Sequence, residues 1–493
     1  MHYRGPQGPV SSSTSSSRSS SAVRRSPPSE KEYAALLILF FACFSINADQ
    51  LVAAPNLTRI STDFALSESE RDFFLGALTQ LGFYVSAGFF SVLSGPLIEV
   101  VDRAKLLGSL CVFGSILACC CGLVPLGKLG FFYFLLLRVS TGISVGVALP
   151  TAFSLLSDIA PVSRRTTMGA FITTSCAAGA AIGQALSGLL GAVSWRVPYL
   201  VLGLVSVIAA VACFAGPLTD VRASTHEKKR EGLVSRNLAA KAWRGRSMSE
   251  DSTSQDRPRP LSMEDLNWSR FRSVLAVRTN RLIFLQSIPG CIGWSSIATF
   301  LPDFLHTELD FSVRGATGVM AVFGISSLVC AVVGSGVGQA IYNEERARLP
   351  LFVAASMASG AVFMICLVVL AGGGNLGIFF FTTFGAIGAA AGPNLKGMLM
   401  NANSTHSRGT VFALFNLIDN LGKGLGPSVL VVFRYCFGGS RRFAFAAAFS
   451  LWFLAAFIAA QLAECINEDT VAVEIKAGDK SEEPFDLFHI YHK

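Results

Sequence analysis

Charged and amide side chains set inside long apolar runs are the residues with chemistry to do. Asp49 stands deep in a run that begins at Ala34, with Asn47 two residues before it. Arg138 follows Leu135, Leu136 and Leu137 in another such run. A third run holds Asn416, Asp419, Asn420 and Lys423. Ionisable groups are costly in lipid and mark a path, a relay or a paired site unless they reach the membrane surface. Arg138 therefore has two readings, a buried functional cation or an Arg snorkelling at a helix end. Asp419 and Lys423 are four apart, share one helical face and can pair. That pair serves either as a structural bridge or as a seat for a solute headgroup or a proton. A carboxyl group in a poorly solvated cavity can bind and release a proton near neutral pH, which makes Asp49 the expected proton carrier. Lys396 with Asn394, Gln80 and Gln286 are weaker polar candidates, and Pro289-Gly290 should loosen the backbone of its helix.

These groups must be carried by membrane helices. Of 493 residues, 52% are hydrophobic and 15% charged, where soluble domains sit near 25% charged. Mean hydropathy is +0.53. Runs of roughly 20 apolar residues recur, and they predict helices over 33–54, 72–95, 105–126, 129–153, 165–191, 196–216, 281–304, 312–341, 350–371, 375–400, 408–433 and 442–463. The expected fold class is an all-α integral membrane protein of twelve transmembrane helices in two pseudo-symmetric six-helix bundles. Its parts are a disordered Ser-rich tail (1–32), an N-terminal bundle (33–216), a basic linker (217–280), a C-terminal bundle (281–463) and a tail (464–493). The Ser-rich start is not a signal peptide, since no apolar core follows until Ala34. Arg24 and Arg25, Arg103 and Lys105, Arg164 and Arg165, the linker, and Arg346 and Arg348 all fall on one side. The positive-inside rule makes that side, and both termini, cytoplasmic. The loop holding Arg434, Arg441 and Arg442 breaks the rule.

The two halves repeat. Gly95 and Gly338, Arg103 and Arg346, Lys105 and Arg348, Pro150 and Pro393, Arg165 and Arg408, Gly179 and Gly422, and Gly183 and Gly426 are each 243 residues apart. Pro55-Asn56 and Asp63-Phe64 resemble Pro302-Asp303 and Asp310-Phe311 at a separation of 247. A constant offset across four helices points to duplication, as in transporters made of parallel repeats around a midplane site.

The loop Gly95-Pro-Leu-Ile-Glu99-Val-Val-Asp102-Arg103-Ala-Lys105 resembles the signature loop of the major facilitator superfamily, with Val100 where that family has a basic residue. Arg138-Val-Ser-Thr-Gly142 resembles its helix 4 pattern, and Gly179-Ala-Ala-Ile-Gly183 its helix 5 pattern. The resemblance implies a cytoplasmic gate built from Gly95, Glu99, Arg103, Asp158 and Arg346, with Asp158 as partner of Arg103. The charged and amide residues inside the apolar runs give the expected substrate or proton pathway, through Asn47, Asp49, Arg138, Asn416, Asp419, Asn420 and Lys423. Asn47-Ala-Asp49-Gln50 is similar to the start of Spinster-like lipid transporters. Gln50 and Val145 stand where those carry an Arg and an acid, so their coupling scheme does not transfer whole.

The function expected is secondary transport of a small organic or amphipathic solute by alternating access, with a lysolipid or sphingolipid as the alternative substrate class. A transporter-like receptor or sensor is the competing reading. No HExxH motif or GxxxxGK[ST] loop is present, which argues against a zinc hydrolase or a built-in ATPase. No cofactor and no nucleic-acid partner are expected; the partners are solute and membrane lipid, and the chain is expected to be a monomer. Of the 12 Cys, nine lie inside apolar runs as small filler. Asn56-Leu-Thr58 fits a glycosylation sequon too near the membrane for use.

Overall fold

Uninterrupted apolar runs satisfy their backbone groups internally as helices, the only open-ended way to cross lipid. The computed structural model describes residues 30–159, 165–215, 218, 268–370, 375–404 and 407–479, without the side chains of a few of them, Glu99 and Asp158 included. The N-terminal half runs through α1 (Glu30–Asn47), α2 (Leu57–Asp63), α3 (Thr79–Val100), α4 (Arg103–Gly122), α5 (Gly127–Ile159), α6 (Arg165–Leu190) and α7 (Val197–Phe214). A short α8 (Trp268–Ala276) leads into the second half. That half holds α9 (Arg278–Glu308), α10 (Val313–Glu344), α11 (Arg348–Leu370), α12 (Asn375–Gly385), α13 (Ala391–Asn401), α14 (Arg408–Cys436), α15 (Arg441–Ala460) and α16 (Ile466–Asp479). Among the described residues, nine spans are long and apolar enough to cross a membrane. The helices α1, α6 and α14 are not among them. Of these, α14 carries the polar set from Asn416 to Lys423.

Starts are set by side-chain caps. Asp102 accepts from the backbone N–H groups of Ala104 (3.0 Å) and Lys105 (3.1 Å) at the head of α4. Ser312 caps α10 and Ser440 caps α15 in the same way.

Two features depart from the sequence expectation. The first helix does not continue to residue 54 but ends at Asn47. There the Asn47 side chain donates to the Cys43 carbonyl (2.7 Å), and residues 48–54 turn through i→i+3 bonds into a short 3₁₀ turn, Ala54–Asn56. Residues after Glu464, expected as a plain polar tail, form α16. It is fastened by Glu464 to Arg278 (2.7 Å), Asp469 to the Thr279 N–H (2.8 Å) and Glu474 to Arg346 (2.8 Å). The Ser-rich tail and most of the 217–280 linker lie outside the described residues.

The repeat is visible in the packing. A Cβ on Gly179 or Gly183 of α6 would sit 2.2 Å from the Phe44 carbonyl oxygen or 1.7 Å from that of Ala48. Their partners Gly422 and Gly426 of α14 press on Ser287 and Ile292 of α9 in the same manner. Equivalent glycines thus let equivalent helices touch backbone to backbone.

The apolar core is asymmetric along the bundle. One large cluster mixes both halves, joining Phe64, Phe134 and Trp195 to Phe300, Phe304, Phe445 and Trp452. Toward the end that carries the α3–α4 loop, the core separates. One cluster there is confined to the first half (Leu36, Leu107, Leu155) and another to the second (Leu349, Leu399, Leu462). The halves are fused at one end and parted at the other.

Candidate functional site

The broken stretch after Asn47 presents Asp49 to the bundle interior. Arg138 on α5 is 1% exposed, which rules out snorkelling, and its Nη1 donates to Asp49 Oδ2 at 3.1 Å. Its Nη2 donates to the Gln50 carbonyl at 2.9 Å. The guanidinium lies 5.2 Å from the Phe83 ring centre and 5.9 Å from that of Tyr199, so aromatic faces complete its surroundings. Asp49 Oδ1 is buried with no hydrogen-bond partner among the described residues. Gln50 donates to Asn47 Oδ1 (2.5 Å), which ties the two amides beside the acid. Behind this break, Ser187 of α6 donates to the Val52 carbonyl (2.6 Å) and receives Asn56 (3.0 Å). That bond also occupies the sequon asparagine, which is buried.

The second group sits on α14. Lys423 Nζ and Asp419 Oδ2 are 2.7 Å apart, and the Cys291 thiol of α9 donates to Asp419 Oδ1 at 3.1 Å. The Lys423 side chain is 39% exposed although it lies mid-helix. Its neighbour Gly424 packs against Leu81 and Tyr84 of α3, so the exposure faces an opening between the halves. Asn420 lies against Gly88 of the same helix, and Asn416 is half-buried one turn away. Lys396 on α13 is exposed and has Asp419, Lys423, Cys291 and, from the other half, Cys176 as electrostatic neighbours.

The structure adds a group that sequence reasoning missed. At the fused end, Arg71 and Asp72 lead a π-helical stretch (Arg71–Leu78) that continues into α3. Arg441 of α15 donates from Nη2 to Asp72 Oδ1 (2.9 Å) and from Nη1 to Asp303 Oδ2 (2.8 Å). Arg71 bonds Asp72 (2.9 Å) and lies 3.5 Å from Asp303. Thr58 donates to Asp303 Oδ1 (2.6 Å). Arg434 of α14 pairs with Asp72 and reaches Glu68 (3.3 Å). Arg71, Arg434 and Arg441 face Glu68, Asp72 and Asp303, so the charges balance. Most of these bonds cross from one half to the other. The signal in the sequence was the loop with Arg434 and Arg441 that broke the positive-inside rule; both cations are neutralised by acids from neighbouring helices.

Of the expected cytoplasmic gate, the described residues show Gly95, Arg103 and Arg346. Gly95 faces open space, with nothing within 4 Å of an added Cβ, whereas its counterpart Gly338 presses on Asn394. Arg103 donates to the Ile98 carbonyl at 3.3 Å. Arg346 holds Glu474 of α16 rather than a group across the interface. The side chains of Glu99 and Asp158 lie outside the described residues. Gln80 and Gln286 are buried, the latter bonding Ser287 (3.4 Å). Among the described residues no three His, Cys, Asp or Glu side chains converge to hold a metal ion.

Comparison with known proteins bears on the fold and the family. The chain is similar to the uncharacterized MFS-type transporter YceJ of Bacillus subtilis (strain 168), 21% identical over 399 residues that span 79% of this chain and 87% of that protein. Its fold matches an inward-facing, unoccupied bacterial homologue of the human lysosomal transporter Spinster. There the TM-score is 0.67 at 16% identity, over 90% of this chain and 99% of that one. It also matches a D-xylose–proton symporter with a TM-score of 0.64 at 15% identity, over 87% of this chain and 97% of that one. Residues 36–427 match the Major Facilitator Superfamily, and the chain belongs to that family of multi-pass membrane transporters.

Proposed function

We propose that the protein is a secondary transporter that couples protonation at Asp49 to movement of a small organic or amphipathic solute by alternating access. The observation that carries this reading is the buried Asp49–Arg138 pair just after the first helix breaks, with one carboxylate oxygen left without a partner among the described residues. A proton arriving at Asp49 removes its charge and loosens its hold on Arg138. The Gln50 carbonyl that Arg138 also holds is then free to shift, and the backbone turn at 48–54 transmits the change to α6 through Ser187. Proton binding and rocking of the halves become one event.

In this reading the fused end is the exterior mouth, closed by the Asp72–Asp303–Arg441 cluster. The parted end, with the α3–α4 loop and both termini, is cytoplasmic. Solute enters between α6 and α14 and meets Lys423, Asp419 and Asn420. The D-xylose–proton symporter that shares the fold makes proton coupling a natural expectation for this chain.

Proteoliposome uptake over a chemically mixed panel, with and without an inward proton gradient, tests the proposal. Gradient-stimulated uptake of one solute class that is lost in Asp49→Asn supports it. Uptake that ignores the gradient, or that keeps its pH dependence in Asp49→Asn, removes Asp49 from the coupling role. Binding without flux through folded protein would favour a receptor.

A further inference from the structure

We infer that Lys396, with Lys423 and Asp419, seats the anionic head of an amphipathic organic acid whose apolar body lies against the N-terminal half. The inference rests on the reading of this opening as a solute path.

The argument is one of charge balance. Lys423 and Asp419 neutralise each other at 2.7 Å. Asp49 and Arg138 do the same across the opening at 3.1 Å. Lys396 has no ion-pair partner among the described residues, yet stands exposed beside the Lys423 pair. One wall of the opening therefore carries one surplus positive charge. A lysine without a counter-ion inside a membrane bundle is unfavourable, and an incoming anion relieves that cost. Lysine presents a compact charge with three rotatable donors, suited to a carboxylate or a phosphate monoester held by two such groups.

The opposite wall differs. The repeat places Phe153, Cys176 and Ala180 where the second half has Lys396, Asp419 and Lys423. None brings a charge, and Phe153 is 40% exposed. A ligand that satisfies both walls has one anionic end and an apolar body. Sugars, which offer hydroxyls and no charge, leave Lys396 unsatisfied. Organic cations meet the surplus charge as repulsion.

The test uses the full chain in lipid nanodiscs and three probes that share one body: 4-phenylbutyrate, 4-phenylbutan-1-ol and 4-phenylbutylamine. Thermal unfolding midpoints read binding, because a ligand that binds only the folded state raises the midpoint with concentration. The carboxylate should raise it, with the alcohol and the ammonium far weaker. The apparent Kd for the carboxylate should rise at least about tenfold in Lys396→Gln, the loss of one charge-assisted contact, and recover in Lys396→Arg. Each variant is compared with its own ligand-free midpoint, so altered stability does not mimic altered binding. Chloride alone at the same concentration should give no shift. The inference is overturned if the alcohol or ammonium stabilises as well as the carboxylate. It also fails if chloride reproduces the shift, if no probe binds, or if Lys396→Gln binds the carboxylate unchanged. A carboxylate that binds through Lys396 but is never carried in uptake assays leaves this seat intact and counts against transport instead.

Discussion

In the proposed orientation, Asp72→Asn should open the exterior mouth. Asp72 is the hub of the inter-half cluster: it is almost fully buried and accepts hydrogen bonds from Arg71, Arg434 and Arg441. Two of these arginines come from the opposite half. The substitution turns a balanced set of three cations and three acids into one with a surplus cation, and it leaves guanidinium groups facing one another across the interface. Removing one partner of a buried ion pair costs about 3–5 kcal/mol. Arg434 is partly solvated and Arg441 keeps Asp303, so the low end, about 3 kcal/mol, applies. That cost falls on the closed-exterior state, where the halves meet, and only weakly on states where they have separated. A shift of about 3 kcal/mol changes a two-state ratio by roughly a hundredfold, so an exterior-open state at about 1% would rise to about half. Bioorthogonal spin labels at Lys128 and Tyr435, both exposed at this end on opposite halves, report the change by pulsed electron resonance. A second, longer distance should appear in Asp72→Asn and be absent in the parent protein. An unchanged distribution in a variant of normal unfolding midpoint would refute the assignment of this cluster as the clamp.

Other consequences follow from named contacts. Arg138→Gln should destabilise the protein by about 3–5 kcal/mol, because Asp49 is left buried without its cation, whereas Asp49→Asn with Arg138→Gln should cost less; urea or thermal unfolding in detergent compares the two. Gly183→Ala should abolish expression of folded protein or lower its midpoint sharply, since its Cβ would lie 1.7 Å from the Ala48 carbonyl oxygen, while Gly336→Ala, with nothing within 4 Å, should be neutral. Burial raises the Asp63 carboxyl, but the hydrogen bonds from Arg196 and Trp195 outweigh it and hold it below the usual range. Its contribution is therefore complete above the unfolded value near pH ~4 and is lost as pH falls through the lower native value. Unfolding midpoints from pH 6 downward should fall less steeply in Asp63→Asn than in the parent, and parallel curves would exclude the pair as a source of acid sensitivity.

Much of this architecture can be read from the chain because lipid punishes polar groups so heavily. The ends of the long helices fall within a few residues of the apolar runs, and Asp49, Arg138, Asp419 and Lys423 stand out as charges that such runs do not tolerate idly. The i,i+4 pair Asp419–Lys423 is local, so its 2.7 Å contact follows from helical geometry. Pairing across the fold is different. Asp49 and Arg138 are 89 residues apart, and nothing local says that they meet. Arg71, Asp72 and Arg441 sit at helix ends, where charge is ordinary, so the sequence marks the cluster only through the sidedness of Arg434 and Arg441. The break after Asn47 lacked a warning too: no Gly or Pro falls between Asn47 and Ala54. It arises where Asn47 turns its amide back on its own helix, a choice that apolar periodicity does not register.

The buried pairing has a consequence for how the chain is made. Translocation scales set an unpaired Arg at a helix centre at about 2.5–3.5 kcal/mol, enough to hinder insertion of an isolated segment. In a chain inserted helix by helix, Asp49 is already in the bilayer when α5 arrives with Arg138. Arg138 thus enters the membrane next to a counter-charge laid down 89 residues earlier, so the order of synthesis itself lowers the barrier to assembling the bundle.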